Sequence, residues 1–148
     1  MKTYKSTVSL FSLKKNNTSF QKVKITCSKD AETFLRQFYF DDLVIYESFF
    51  ILLLNRANIT IGFAKISQGG VSGTSVDVRI IAKYCIESLA DSVILCHNHP
   101  SGNILASNAD KSLTIKLSDG LKFFDCNVVD HLILSESNYF SFADEGLL

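Results

Sequence analysis

The chain has 148 residues, about one domain's worth, and enough to bury a core without disulfide staples. Hydrophobic residues make up 47% and charged residues 20% of it, the balance of an ordinary globular protein rather than a disordered one. Fifteen basic and fifteen acidic residues cancel, so net charge offers no footprint for nucleic acid, leaving only local patches such as Lys14–Lys15.

Residues 3–12 partly alternate between apolar and polar, and residues 20–26 ("FQKVKIT") do so more clearly. With "LKKNNTS" between them they read as a hairpin, an extension over residues 1–27 ahead of a core at 28–148. The run "SKDAETFLRQFYF" follows. Ser28 or Asp30 can cap it, and Ala31, Phe34, Leu35 and Phe38 form a helical stripe. "SFFILLLNRANITIGFAKISQGG" reads as two strands joined at "NRAN". The first is almost continuously apolar, as a central strand is. After the loop "GGVSGTS", the run "VDVRIIAKYCIESLA" reads as a helix with Asp77 near its start. Its apolar residues are Ile80, Ile81, Tyr84, Cys85 and Leu89. "DSVILCH" is a short buried strand and "PSGNILAS" a loop. "NADKSLTIKLSDGLKFF" is a helix with Leu113, Leu117 and Leu121 on one side. "NVVDHLILS" and "YFSFAD" are the last strands. No repeat or low-complexity tract interrupts the pattern, and it predicts a single α/β domain with helices packed on a mixed sheet.

No stretch suits a membrane. The longest apolar run, "FFILLL", is far too short to span one, and the first residues are too often polar for a signal-peptide core. Cys27, Cys85, Cys96 and Cys126 are widely spaced, with no CxxC. That argues against a disulfide scaffold or a zinc ribbon and for buried free thiols in a reducing cytoplasm. An edge strand would be the place for a homodimer contact.

Chemistry concentrates in "VILCHNHPSGNILASNAD", residues 93–110, which holds two of the three histidines and the only proline. His97 and His99 are two apart, so in extended backbone they project to the same side while Asn98 faces away. Pro100 bars further pairing and ends the strand. "SNAD" has the spacing of a capping box at a helix start, Ser107 and Asp110 being the two members. On spacing alone the cap is the commoner reading, but a side chain in a first helical turn can also point into a pocket. Two histidines and one carboxylate leave a fourth position open, as catalytic zinc requires. Zinc would lower the pKa of a bound water toward about 7, and a nearby carboxylate is then needed to accept the proton. Glu47, beside the apolar strand, is the candidate, although a lone glutamate there is more commonly a solvated strand end.

Together these residues resemble the JAMM (MPN+) metalloprotease signature. A remote Glu47 is followed by His97-Asn98-His99-Pro100, six residues, then Ser107, two residues and Asp110. "ESFFILLLNRAN", "ISQGGVSGTSVDVR", "HNHPSG", "VVDHLIL" and "SFADEGLL" are in turn similar to the blocks of the bacterial RadC family, in order, over about residues 30–148. The helix-hairpin-helix region that precedes this domain in full-length members has no counterpart here, so the chain resembles a short form. The resemblance implies a three-layer α/β/α fold of the cytidine-deaminase-like (JAB/MPN) type. It implies zinc held by His97, His99 and Asp110, with Glu47 as general base and Ser107 stabilising the oxyanion. The chain departs from the family at Ala106 and Val78, where proline is common. Ala106 could loosen the loop that carries Ser107 and Asp110, and so weaken metal binding.

Asp130-His131 also resembles a family dipeptide. Spacing does not tie it to the metal, and a hydrogen-bonded pair in a strand is a commoner reading than a direct role. Cys96 points away from His97 into the core, and Arg79 and Lys83 read as solvent-facing charge.

Three functions compete. The first is a zinc hydrolase cleaving a peptide or isopeptide-like amide in a peptide or protein substrate. The second is a DNA repair or mobile-element accessory of the RadC kind, for which the balanced charge gives no support. The third is an interaction module without catalysis, against which the complete residue set argues. HExxH is missing, and so is the H-x-E…P-C-x-x-C pattern of base deaminases.

Overall fold

A computed structural model describes residues 8–12, 14–39, 41–70 and 75–148. Among these residues five strands form one mixed sheet. They are β1 (Ser48–Leu54), β2 (Thr60–Gln68), β3 (Ser92–Asn98), β4 (Asn127–Leu134) and β5 (Tyr139–Ser141). The order across the sheet is β2-β1-β3-β4-β5. Only β3 and β4 run parallel, and every other neighbouring pair is antiparallel. Three helices cover the sheet: α1 (Ser28–Leu35), α2 (Val78–Ser88) and α3 (Asn108–Lys122).

Strand alternation sorts the core into two clusters. Phe50, Leu52 and Leu54 of β1, Ile94 and Cys96 of β3, and Leu132 and Leu134 of β4 pack against Ala31, Phe34 and Leu35 of α1. Phe49, Ile51, Leu53, Val93 and Leu95 face the other way, against Ile81 and Cys85 of α2 and Leu117 and Leu121 of α3. The result is the expected three-layer α/β/α arrangement. Every residue of β1 and of β3 is buried, the mark of strands covered on both faces, and β1 is central as its composition predicts.

The turn at "NRAN" is built by Asn55, whose Oδ1 accepts from the amides of Ala57 and Ile59, both at 3.0 Å. Helix α2 starts at its predicted cap, with Asp77 accepting from the Arg79 amide at 2.9 Å. The helical stripe of α1 is buried throughout.

Four expectations fail. Residues 20–26 make no hairpin strand among the described residues, and residues 1–7 of the other half lie outside them. Instead residues 23–25 attach beside the start of β2. Ile25 N–H donates to Asn58 O at 2.8 Å, and Thr60 N–H to Val23 O at 2.9 Å. The alternation is satisfied by packing: Ile25 enters the core, and Phe20 sets its ring edge-on to Phe34, Phe38 and Phe63. Second, neither Ser28 nor Asp30 caps α1. Cys27 holds the cap position without a side-chain bond. Asp30 reaches back to the Thr26 amide at 2.8 Å, and Ser28 donates to Asp144 at 2.5 Å. Third, Ile80 and Leu89 of the α2 stripe are exposed. Leu89 sits past the helix end in left-handed backbone (φ 53°), where its side chain leaves the buried face. Fourth, Cys27 is exposed, while the other three cysteines are buried and free.

Among the described residues no helix is long and apolar enough to cross a membrane.

Candidate metal centre

Strand β3 delivers the histidine pair. Antiparallel pairing aligns Phe49 of β1 with His97 without a register shift. Carried two residues further, the same register sets Glu47 across from His99, on the face that His97 and Phe49 share. His97 is buried, His99 and Glu47 half-buried. The His97 ring lies flat against Phe49, with centroids 5.8 Å apart and planes 6° apart.

Beyond β3 the chain turns at once. The His99 amide still joins the sheet, donating to Leu134 O at 2.8 Å, and the Gly102 amide donates back to His99 O at 3.0 Å. Gly102 has φ 85°, a conformation open to glycine and costly for other residues. The turn brings Asn103 O to 2.6 Å from His99 Nδ1. A carbonyl only accepts, so Nδ1 donates, and Nε2 is left as the ring's electron-pair donor.

Helix α3 then begins with the full capping box that "SNAD" predicts. Ser107 Oγ accepts from the Asp110 amide at 3.0 Å, and Asp110 Oδ2 accepts from the Ser107 amide at 2.8 Å. Capping does not exhaust the aspartate. Its Oδ1 is 3.2 Å from His97 Nε2 and its Oδ2 3.7 Å from His99 Nε2.

The two Nε2 atoms are 3.0 Å apart. Glu47 joins them: one ligand atom each from Glu47, His97 and His99 lies within 4.8 Å of the others. The structure thus brings together Glu47, His97, His99 and Asp110, with Ser107 one helical turn from the cluster. These donors suit a cation. Zinc bonds of about 2.0 Å in a tetrahedron put neighbouring ligand atoms roughly 3.3 Å apart; the two histidine nitrogens are 3.0 Å apart, and Asp110 sets one carboxylate oxygen 3.2 Å from His97 and the other 3.7 Å from His99. Imidazole nitrogens with carboxylates are also the ligand set that open zinc sites use.

Three residues that spacing did not single out hold this cluster. Asn98 does face away, and it is fully buried there. Its Nδ2 donates to Leu43 O and Tyr46 O, each at 2.7 Å, and its Oδ1 accepts from the Ser48 amide at 2.8 Å. It therefore pins the segment that carries Glu47. His131 lies on the metal-site face of β4, its Nε2 2.8 Å from His97 Nδ1. Thr114 of α3 touches His131 Nδ1 at 2.6 Å. The pairing of Asp130 with His131 goes through main chain: Asp130 Oδ1 accepts the His131 amide at 2.7 Å, while the two side chains point to opposite faces. Asp130 also accepts from Ser141 Oγ at 2.7 Å and the Ala143 amide at 3.0 Å. That fixes Phe142, which stacks on His131 with centroids 4.7 Å apart. Burial pushes the Asp130 carboxyl up, and burial drives the His131 pKa well below the ordinary histidine value. The family-like "DH" was the signal for His131. For Thr114 there was none.

Arg79 is solvent-facing and paired with Asp77 at 2.6 Å. Cys96 is core, as expected, and burial pushes its thiol up to about 12.

A mixed α/β/α domain with a histidine–carboxylate cluster at the end of a central strand defines the class as a JAB-type domain. Residues 25–147 match the RadC-like JAB domain family, and the chain belongs to that family. It is 44% identical over 124 residues to a UPF0758 protein of Flavobacterium johnsoniae, covering 84% of this chain and 53% of that protein. A UPF0758 protein of Porphyromonas gingivalis is 44% identical over 103 residues, 69% of this chain and 45% of its own length. The UPF0758 protein YfjY of Escherichia coli is 41% identical over 102 residues, 69% and 64% of the two chains. The chain thus spans about half the length of the first two of these curated relatives.

Proposed function

We propose that this domain is a zinc-dependent hydrolase that cleaves an amide bond of the peptide or isopeptide kind in a peptide or protein substrate. The observation that carries the reading is the convergence of His97 Nε2, His99 Nε2 and the Asp110 carboxylate within 3.0–3.7 Å, with a second carboxylate, Glu47, beside them. His97, His99 and Asp110 would hold the metal. Zinc bound there supplies Lewis acidity and a water acidified toward a pKa of about 7.

The chain's own groups do the rest. Glu47 is the base that takes the proton and hands it to the leaving amine. The pinning of residues 43–48 by Asn98 keeps that carboxylate in place. Ser107 Oγ accepts from the Asp110 amide, which leaves the hydroxyl hydrogen to donate to a developing oxyanion. Capping and catalysis thus use opposite ends of one hydroxyl. Phe49 and Phe142 exclude water from the inner sides of His97 and His131.

No observation favours the DNA-accessory reading, and the complete donor set disfavours a purely binding module. The test is metal analysis with a peptide-library cleavage assay. Native protein is expected to hold one zinc and cleave. Glu47→Gln is expected to keep the zinc and lose cleavage. Absence of zinc from native protein incubated with it would end the reading.

A further inference from the structure

His97 can offer the Nε2 electron pair to the cluster only when the ring's single N–H hydrogen is on Nδ1, and a chain of contacts reaches that hydrogen from the main chain of α3. It starts at the carbonyl of Asp110, which can only accept. The Thr114 hydroxyl donates to it at 2.6 Å, the backward bond a threonine makes inside a helix. With its one hydrogen spent, Thr114 Oγ1 can meet His131 Nδ1, 2.6 Å away, only as acceptor. His131 Nδ1 therefore carries a hydrogen.

His131 is fully buried. Its nitrogens face a hydroxyl and another imidazole, neither of them anionic, and a buried ring so placed stays neutral. Its Nε2 thus has no hydrogen and accepts. The group it meets, His97 Nδ1 at 2.8 Å, must donate. What remains of His97 is the Nε2 electron pair, 3.0 Å from His99 Nε2 and 3.2 Å from the Asp110 carboxylate.

We propose that Thr114 and His131 are positioning residues, a hydrogen-ordering relay that sets the tautomer of His97 for a zinc-type divalent cation. The proposal rests on the metal reading of the cluster. The relay also explains why one helix turn serves twice: Asp110 presents its carboxylate to the site, and its carbonyl is the fixed acceptor that orders the relay. His99 needs no such chain, because the Asn103 carbonyl orders it directly.

The experiment pairs zinc affinity, by competition with a chromophoric chelator, with imidazole tautomers read by ¹⁵N NMR on the metal-free protein. Thr114→Val keeps the shape and removes the acceptor, and Thr114→Ser restores it. Native protein is expected to show His131 as the Nδ1–H form. In Thr114→Val it is expected to move toward the Nε2–H form, with zinc affinity lower by roughly 10–100-fold, the usual loss when an outer partner of a metal ligand is removed. Thr114→Ser is expected to return both toward native. Should Thr114→Val not fold, Thr114→Ala against Thr114→Ser makes the same comparison. An unchanged His131 tautomer, or zinc affinity in Thr114→Val within about twofold of native, overturns the relay. So does a Thr114→Ser as weak as Thr114→Val, which would trace the loss to packing. Native protein that binds no zinc overturns the metal reading, and the tautomers alone then decide the relay, His131 in the Nε2–H form refuting it.

Discussion

The two faces of the central sheet carry polar residues at the same level and use them differently. Toward α1, Asn98, Tyr39 and Asp130 make their side-chain bonds chiefly with main chain, with Ser141 Oγ and Cys96 Sγ the side-chain partners. Tyr39 Oη lies 3.0 Å from Ser48 O and 3.1 Å from Cys96 O, and Asn98 makes three bonds to residues 43–48. Toward α2 and α3, His97, His99, Glu47 and Asp110 turn atoms on one another, an arrangement that could hold a cation. Adjacent residues of one strand, His97 and Asn98, thus do opposite work. One face fixes backbone, and the other keeps electron pairs in reserve.

Mutations can break that contrast, and the largest effect belongs to His97. His97→Ala should lose zinc by more than the roughly 10–100-fold of an outer partner, read by chelator competition, while the metal-free protein still folds by circular dichroism. Asn98→Ala should do the reverse. It leaves the buried Ser48 amide and two part-buried carbonyls without their Asn98 partner, at about 1–3 kcal/mol for a buried unsatisfied group and less for the others. Denaturant unfolding should show a loss of about 3 kcal/mol or more. Zinc affinity should change little, while cleavage falls because Glu47 is no longer held. Equal zinc loss in both variants would erase the distinction between the faces.

Tyr39→Phe is a milder probe of the α1 face. Removing one hydroxyl from two carbonyls should cost about 1–2 kcal/mol, with zinc affinity unchanged. The smallest expected effect lies outside both faces. The Arg79 side chain and amide beside Asp77 lower its carboxyl from 3.8 to about 2. A folded value below the unfolded one contributes stability above pH 3.8 that is lost as pH falls through about 2. Asp77→Asn should therefore flatten the stability curve across that acid window and leave zinc binding at neutral pH alone. A steeper acid limb in the variant would contradict the cap.

Much of this was open to local reading. The HxH spacing placed two imidazoles on one side, "SNAD" marked a capping box, and the apolar run 48–54 marked a central strand. The failures were also local patterns, overridden from a distance. The alternation of residues 20–26 matched a strand, but Phe20 and Ile25 found partners in the α1 cluster and in β2. Ile80 and Leu89 kept helical spacing, yet the axis and end of α2 turned them to solvent.

The amino-acid sequence by itself determined most of the elements from β1 onward and the chemical identity of the donors, because period, capping and extended-chain parity act over a few residues. Tertiary structure alone decided how those donors meet. Glu47 reaches His99 through the antiparallel register that sets Phe49 against His97. His131 reaches His97 through the parallel register that sets Leu95 against His131. Thr114 reaches His131 only because α3 packs across β4. Registers and packing angles are properties of the assembled sheet, since a one-residue slip of a strand would send its side chains to the opposite face.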